Sequence, residues 1–188
     1  MARAKFGNRQ GRLDSIDTIP ARQRIGIYGG TFDPIHNAHI AMAETARIEK
    51  CLDQVLFVVS ARPPHKTQEK PGASPEERFE MVRLALEGRP GLEVSRIELD
   101  RSGLSYTADT LEAIHAQRPH AVLYLIIGMD SLADLPHWRH HRHILERARI
   151  LAIPRPGQWN IVPSMEGHYE VLPFHEVELS STDVRQRI

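Results

Sequence analysis

Apolar positions alternate along this chain between runs that suit strands and stripes that suit helices. Arg24-Ile25-Gly26-Ile27-Tyr28 is short, apolar and β-prone, while Ile40, Ala43 and Arg47 continue at helical spacing. Val55-Leu56-Phe57-Val58-Val59 is apolar throughout, as expected of a strand covered on both faces. Residues 60 to 73, rich in Pro, Lys and Gly, predict a loop that ends at Ser74-Pro75-Glu76-Glu77. There serine can cap a helix, proline occupies its first position and Glu77 completes a capping box. Phe79, Val82 and Leu86 supply that helix with its apolar stripe. Leu92-Glu93-Val94 predicts another strand, and Thr107 to Gln117 a helix with Ala108, Leu111 and Ile114 on one face. Val122 to Ile127 and Ile150 to Ile153 predict two more strands. Strands alternating with helices imply an α/β fold: a Rossmann-like, doubly wound parallel sheet with right-handed crossovers, in one domain over residues 23–188.

Composition narrows the classes of function. The 188 residues suffice for one sizeable core, and 41% hydrophobic with 26% charged residues is ordinary for a globular domain. Lys and Arg number 24, as do Asp and Glu, so the net charge of zero gives no global attraction to nucleic acid and any phosphate site must be local. Cys51 is the sole cysteine and cannot form an intramolecular disulfide, which fits the cytoplasm. No apolar run approaches the length of a membrane span, and the start of the chain lacks the apolar core of a secretory signal. Residues 1–22 hold few large apolar side chains, with Arg3, Lys5, Arg9, Arg12 and Arg22 outnumbering Asp14 and Asp17; a flexible N-terminal extension is expected.

The chemistry concentrates where predicted strands end. Ligands of parallel sheets gather at the carboxyl ends of strands. Gly29 to His39, Arg62 to Lys66, Gly128 to Ser131 and Arg155-Pro156-Gly157 each follow a predicted strand and can meet on one rim. In the first of these, Gly29-Gly30-Thr31 lets backbone approach a phosphate, Asp33-Pro34 suits a tight turn, and His36 and His39 share a face of the helix's first turn. Helix N–H groups and the positive end of the dipole favour an anion there. Pro63-Pro64-His65-Lys66 adds an imidazole and an ammonium on a stiff loop, suited to neutralising phosphate. Near the far end, Ser180-Ser181-Thr182-Asp183-Val184-Arg185 offers hydroxyls and a guanidinium for phosphate oxygens. His137, His140, His141 and His143 are read as part of a basic surface around Trp138, and no dedicated metal site is expected.

Gly29 to His39 resembles the GxFxPxHxGH signature of the nucleotidyltransferase superfamily, with Ala38 where that signature has glycine, and Leu179 to Arg185 resembles its ISSTxxR motif. With Ser105-Tyr106-Thr107, Gly128-Met129-Asp130, Leu135-Pro136-His137-Trp138, Arg155-Pro156-Gly157 and the PPHK string, the chain from Ile25 to Ile188 is similar to the bacterial nicotinate-nucleotide adenylyltransferases. Many of those carry asparagine before the PPHK string, where this chain has Ser60-Ala61-Arg62. The resemblance implies transfer of AMP from ATP, with its Mg²⁺, to nicotinate mononucleotide. It places His36 and His39 on the transferring phosphates, Ser181, Thr182 and Arg185 around the triphosphate, Asp130 near the ribose, and Tyr106, Thr107 and Trp138 around the pyridine ring. Two alternatives stay open at this point: a relative that uses nicotinamide mononucleotide or phosphopantetheine, and a noncatalytic nucleotide sensor.

Overall fold

Every apolar run named above becomes a strand of one sheet. The computed structural model describes residues 22–64, 72–154, 162–173 and 181–186; residues 1–21 of the expected N-terminal extension, and His65, Lys66 and Arg155 among the predicted site residues, lie outside them. In chain order the elements are β1 (Arg24–Gly30), α1 (Asn37–Glu49), β2 (Gln54–Val59), α2 (Pro75–Ala85), β3 (Leu92–Ser95) and α3 (Thr107–Gln117). They continue with β4 (Val122–Gly128), α4 (Met129–Asp134), α5 (His141–Arg147), β5 (Ala148–Ile153), β6 (Tyr169–Val171) and α6 (Ser181–Arg185).

The strand order is β3-β2-β1-β4-β5-β6, and every pairing is parallel. From central β1 the chain lays down β2 and β3 to one side, then crosses back to place β4 on the other. The crevice between β1 and β4 is therefore the switch point, where such sheets bind ligands. Along β1 the side chains alternate: Ile25 and Ile27 join one core, Tyr28 the other. The Tyr28 core receives Ile40, Ala43 and Ala46 of α1 with Phe79 and Val82 of α2. The Ile27 core receives Ala108, Leu111 and Ile114 of α3, Leu132 of α4 and Ile144 of α5. Both faces of the central strands are covered, which is why β2, β4 and β5 read as largely apolar runs.

Several pieces carried too little periodicity to be read in advance. Helices α4 and α5 have six and seven residues, and β6 has three, partly exposed. The four histidines do not share one helix. Leu135–His137 is a 3₁₀ turn, Trp138 is extended, and His140 sits at φ 57° before α5 begins at His141. Among the described residues, no helix is long and apolar enough to cross a membrane.

Candidate active site

The turn after β1 is built on an aromatic ring. Phe32 holds a left-handed backbone, φ 49°, and its buried side chain packs edge-on to Tyr28 with ring centres 5.6 Å apart. A Cβ on Gly30 would lie 2.7 Å from that ring, so only glycine lets Phe32 fold back over the strand end. Gly29 is exposed, and a Cβ there would meet nothing within 4 Å. Ala38 is the second residue of α1, buried, and is not among the positive-φ residues. Its methyl group is thus compatible with the helical backbone in place of the usual glycine.

His36 caps α1 with extended backbone, φ −147° and ψ 170°, and His39 follows in the first turn. His39 Nδ1 lies 3.3 Å from the His36 backbone nitrogen, whose N–H it accepts, and the two rings stack with centres 3.7 Å apart. In the neutral ring an accepting Nδ1 leaves the proton on Nε2, which becomes a donor suited to a phosphate oxygen. Phe32 packs edge-on to His39 with ring centres 5.1 Å apart. Both imidazoles therefore stand at the positive end of the α1 dipole.

Three ties hold this turn in place. Arg78, only 1% exposed, donates from Nη1 to Thr31 O at 2.6 Å, from Nη2 to Ser60 O at 2.9 Å and from Nε to Ala73 O at 3.2 Å. Burial pulls its pKa below the usual arginine value, and Asp33 partly offsets that. The Asp33 carboxylate accepts from the backbone N–H groups of Gly72 and Ala73, at 2.8 and 3.2 Å. From the far end of the chain, Ser181 Oγ donates to Pro34 O at 2.9 Å, Arg185 donates to Asp33 O, and Arg185 Nη2 reaches Thr182 Oγ1 at 3.2 Å. The two motifs thus meet, although their sequence positions differ by about 150 residues. Arg78 was missed by the sequence reading, yet a signal was there: it lies four residues before Val82 and so shares the helix face that enters the core.

Beside the turn lies a cavity of about 180 Å³. Its rim includes Gly29, Gly30 and Thr31 of the turn, Tyr106 and Thr107 at the start of α3, and Trp138, over a floor that includes Ile27, Leu125 and Ile144. An apolar cavity of roughly 150 Å³ can hold benzene, so the space suits one aromatic ring. The start of α3 has no side-chain cap, so no side chain of the cap residue accepts from its first N–H groups. Ser105 N–H donates to Arg62 O at 2.9 Å and its hydroxyl accepts from Arg62 N–H at 3.1 Å, tying the helix start to the loop after β2. Trp138 donates from Nε1 to Asp134 at 3.1 Å, and the Arg139 guanidinium lies 4.5 Å from the Tyr106 ring centre.

The cytidylyltransferase-like family model matches residues 27–187, nearly the whole of the fold just described. This chain belongs to that family. A protein named probable nicotinate-nucleotide adenylyltransferase from Roseiflexus sp. strain RS-1 is 46% identical over 171 residues, covering 87% of this chain and 85% of the relative. Proteins of the same name from Thermus thermophilus and Gloeobacter violaceus are 44% and 40% identical, each over 88% of this chain and over 86% and 84% of their own lengths. The solved Plasmodium falciparum nicotinic acid mononucleotide adenylyltransferase complexed with NaAD shares the fold, with a TM-score of 0.74 and 19% identity over 88% of this chain and 83% of that one.

On this member of the family, Gly128 and Asp130 stand at the carboxyl end of β4 and are not among the residues that line the cavity. Gly128 ends β4 and caps α4, and the Asp130 carboxylate folds back over it, with Oδ1 2.4 Å from where a Cβ would stand. Two of the four histidines around Trp138 face carboxylates: His143 Nε2 and Arg147 Nε meet Glu112 at 3.0 and 2.9 Å, and His137 faces Asp134 at 3.5 Å. The His143 hydrogen bond, with Arg147 behind it, holds the Glu112 carboxyl below the usual carboxylate range.

Proposed function

We propose that this chain transfers AMP from ATP to nicotinate mononucleotide, releasing pyrophosphate and forming deamido-NAD in NAD biosynthesis. One observation carries the reading: a ring-sized cavity opens beside the glycine-histidine turn, with an uncapped helix start and a tryptophan on its walls. The acceptor phosphate attacks the α-phosphorus of ATP. A P–O bond forms as the α,β-bridging P–O bond breaks, and its electron pair leaves with pyrophosphate. The acceptor phosphate is already a nucleophile, so catalysis is mainly alignment and charge stabilisation.

His36, His39 and the α1 N-terminus meet the transferring phosphates in this reading, and Ser181, Thr182 and Arg185 border the triphosphate. Gly29, Gly30 and Thr31 give backbone access, and His65, Lys66 and Arg155 add charge. Asp130 approaches the ribose through Gly128. ATP brings its Mg²⁺, which neutralises triphosphate charge; the imidazole, hydroxyl and guanidinium groups at the turn suit phosphate oxygens rather than that cation. Tyr106, Thr107 and Trp138 surround the pyridine ring, and the first N–H groups of α3 receive its carboxylate. An ATP-consuming step fits the cytoplasm.

Pyrophosphate release with ATP, measured over nicotinate mononucleotide, nicotinamide mononucleotide and phosphopantetheine, tests the proposal. A carboxylate at α3 gains from the dipole, while a carboxamide presents an NH₂ that those donors cannot use. We expect at least a roughly tenfold preference for the acid in kcat/KM, about 1.4 kcal/mol. Equal use of acid and amide would refute the assignment at α3, and no release with any acceptor would refute the enzyme.

A further inference from the structure

The ring cavity has an apolar floor, and a buried carboxylate lies within its wall. Glu98 is 6% exposed and Thr110 2%, and both line the cavity with Ile27, Val58 and Leu125. Thr110 Oγ1 donates to Glu98 Oε1 at 2.6 Å and accepts from Arg101 Nη2 at 3.1 Å. The anion and the cation are therefore joined through one hydroxyl. Glu98 Oε2 and Arg101 Nη1 are also buried, and neither meets a hydrogen-bond partner among the described residues. A half-satisfied charged network is a poor stabiliser, because desolvation of both ions is only partly recovered. Its value must lie in fixing one arrangement.

What it fixes is the start of α3. Thr110 stands one turn after Tyr106; its N–H donates to Tyr106 O at 3.1 Å, and its hydroxyl lies 3.2 Å from the same oxygen. Glu98 accepts the hydroxyl's hydrogen bond at the shorter distance and holds Thr110 from outside the helix. Through this contact the crossover from β3, which carries Glu98 and Arg101, is clamped to the turn that presents Tyr106 and Thr107 to the cavity.

We infer that Glu98, Thr110 and Arg101 are positioning residues for the acceptor ring, orienting the first turn of α3 without touching the transferring phosphates. The inference rests on the proposed acceptor reading of this cavity. Thr110→Val keeps the shape and removes the hydroxyl, whereas Thr110→Ser keeps the hydroxyl. Steady-state kinetics of both variants, with thermal melts in parallel, should show acceptor KM raised roughly tenfold in Thr110→Val, equivalent to about 1.4 kcal/mol. ATP KM should stay within about twofold, and Thr110→Ser should stay near wild type in both. Thr110→Ala gives the same readout if the valine variant does not fold. Parallel rises in acceptor and ATP KM, or an unchanged acceptor KM in a folded variant lacking the hydroxyl, would overturn the inference. A wild-type preference for the amide would refute the acid reading instead, and the KM split would then be read with the amide.

Discussion

Replacing Arg78 by methionine tests whether the phosphate turn is held from beneath. Methionine matches the length of the buried stem but cannot donate, so Thr31, Ser60 and Ala73 would each lose a hydrogen bond now 2.6 to 3.2 Å long. A hydrogen bond from an ionised donor contributes about 1.5 to 3 kcal/mol, and an orphaned buried acceptor costs a similar amount. The three losses do not add in full. Burial already disfavours the charged guanidinium, as the direction of its pKa shows, and methionine recovers that desolvation. A net destabilisation of about 3 to 5 kcal/mol follows from three orphaned acceptors at roughly 1 to 3 kcal/mol each, less that recovery. For a chain of this size that corresponds to a fall in Tm of roughly 6 to 20 °C. Calorimetry supplies the number, and turnover should fall as well, because Thr31 and Ser60 directly follow β1 and β2 and line the cavity. A melting point within about 2 °C of wild type, with turnover intact, would show that the turn holds its shape without Arg78.

Three shorter predictions address the rest of the molecule. His39→Ala should lower kcat by roughly a hundredfold or more with Tm little changed, as for loss of one preorganised donor; near-normal turnover in a folded variant would remove His39 from the mechanism. Trp138→Ala should weaken acceptor use by about 1 to 3 kcal/mol, by analogy with base stacking, and leave ATP binding almost untouched; equal losses for both substrates would mark a structural role. Glu77 accepts the Ser74 N–H at 2.7 Å, and that backbone bond, followed by the Ser74 hydroxyl, draws its pKa below 4.5. A depressed carboxyl stabilises the fold above its unfolded value and loses that contribution as pH falls through the folded value. The Tm gap between wild type and Glu77→Ala should therefore be open at pH 7 and close below about pH 4.5, whereas a gap independent of pH would contradict the capping box.

Sequence showed the central sheet plainly because its strands are buried on both faces, and burial on both faces leaves no polar position to blur the run. The Ser74-Pro75-Glu76-Glu77 start was equally legible, since its geometry is local. Elements whose order comes from contact were not. Helix α5 buries only Ile144, and β6 is positioned by pairing with β5 along three residues, so neither carries a stripe of its own. The same distinction holds at the site. Gly30, His36 and His39 act through backbone next to them and could be read from one string. Arg78 and Glu98 act across 47 and 12 residues, and only the fold shows which carbonyl or hydroxyl each one meets.

The site divides into two halves with different kinds of support, and the division has a kinetic consequence. At the phosphate end, position is set by backbone: a left-handed residue at Phe32, a glycine that accepts its ring, and three carbonyls fixed by Arg78. Ser181 and Arg185 close on that same turn, so they contribute to its geometry as well as to the charge of the proposed phosphate site. At the ring end, position is set by side chains on α3 and by Trp138, with the apolar floor common to the core. On the proposed reading, the phosphates change charge distribution during reaction, while the ring is a spectator whose contacts are equal in ground and transition states. Contacts of the second kind alter KM and those of the first kind alter kcat.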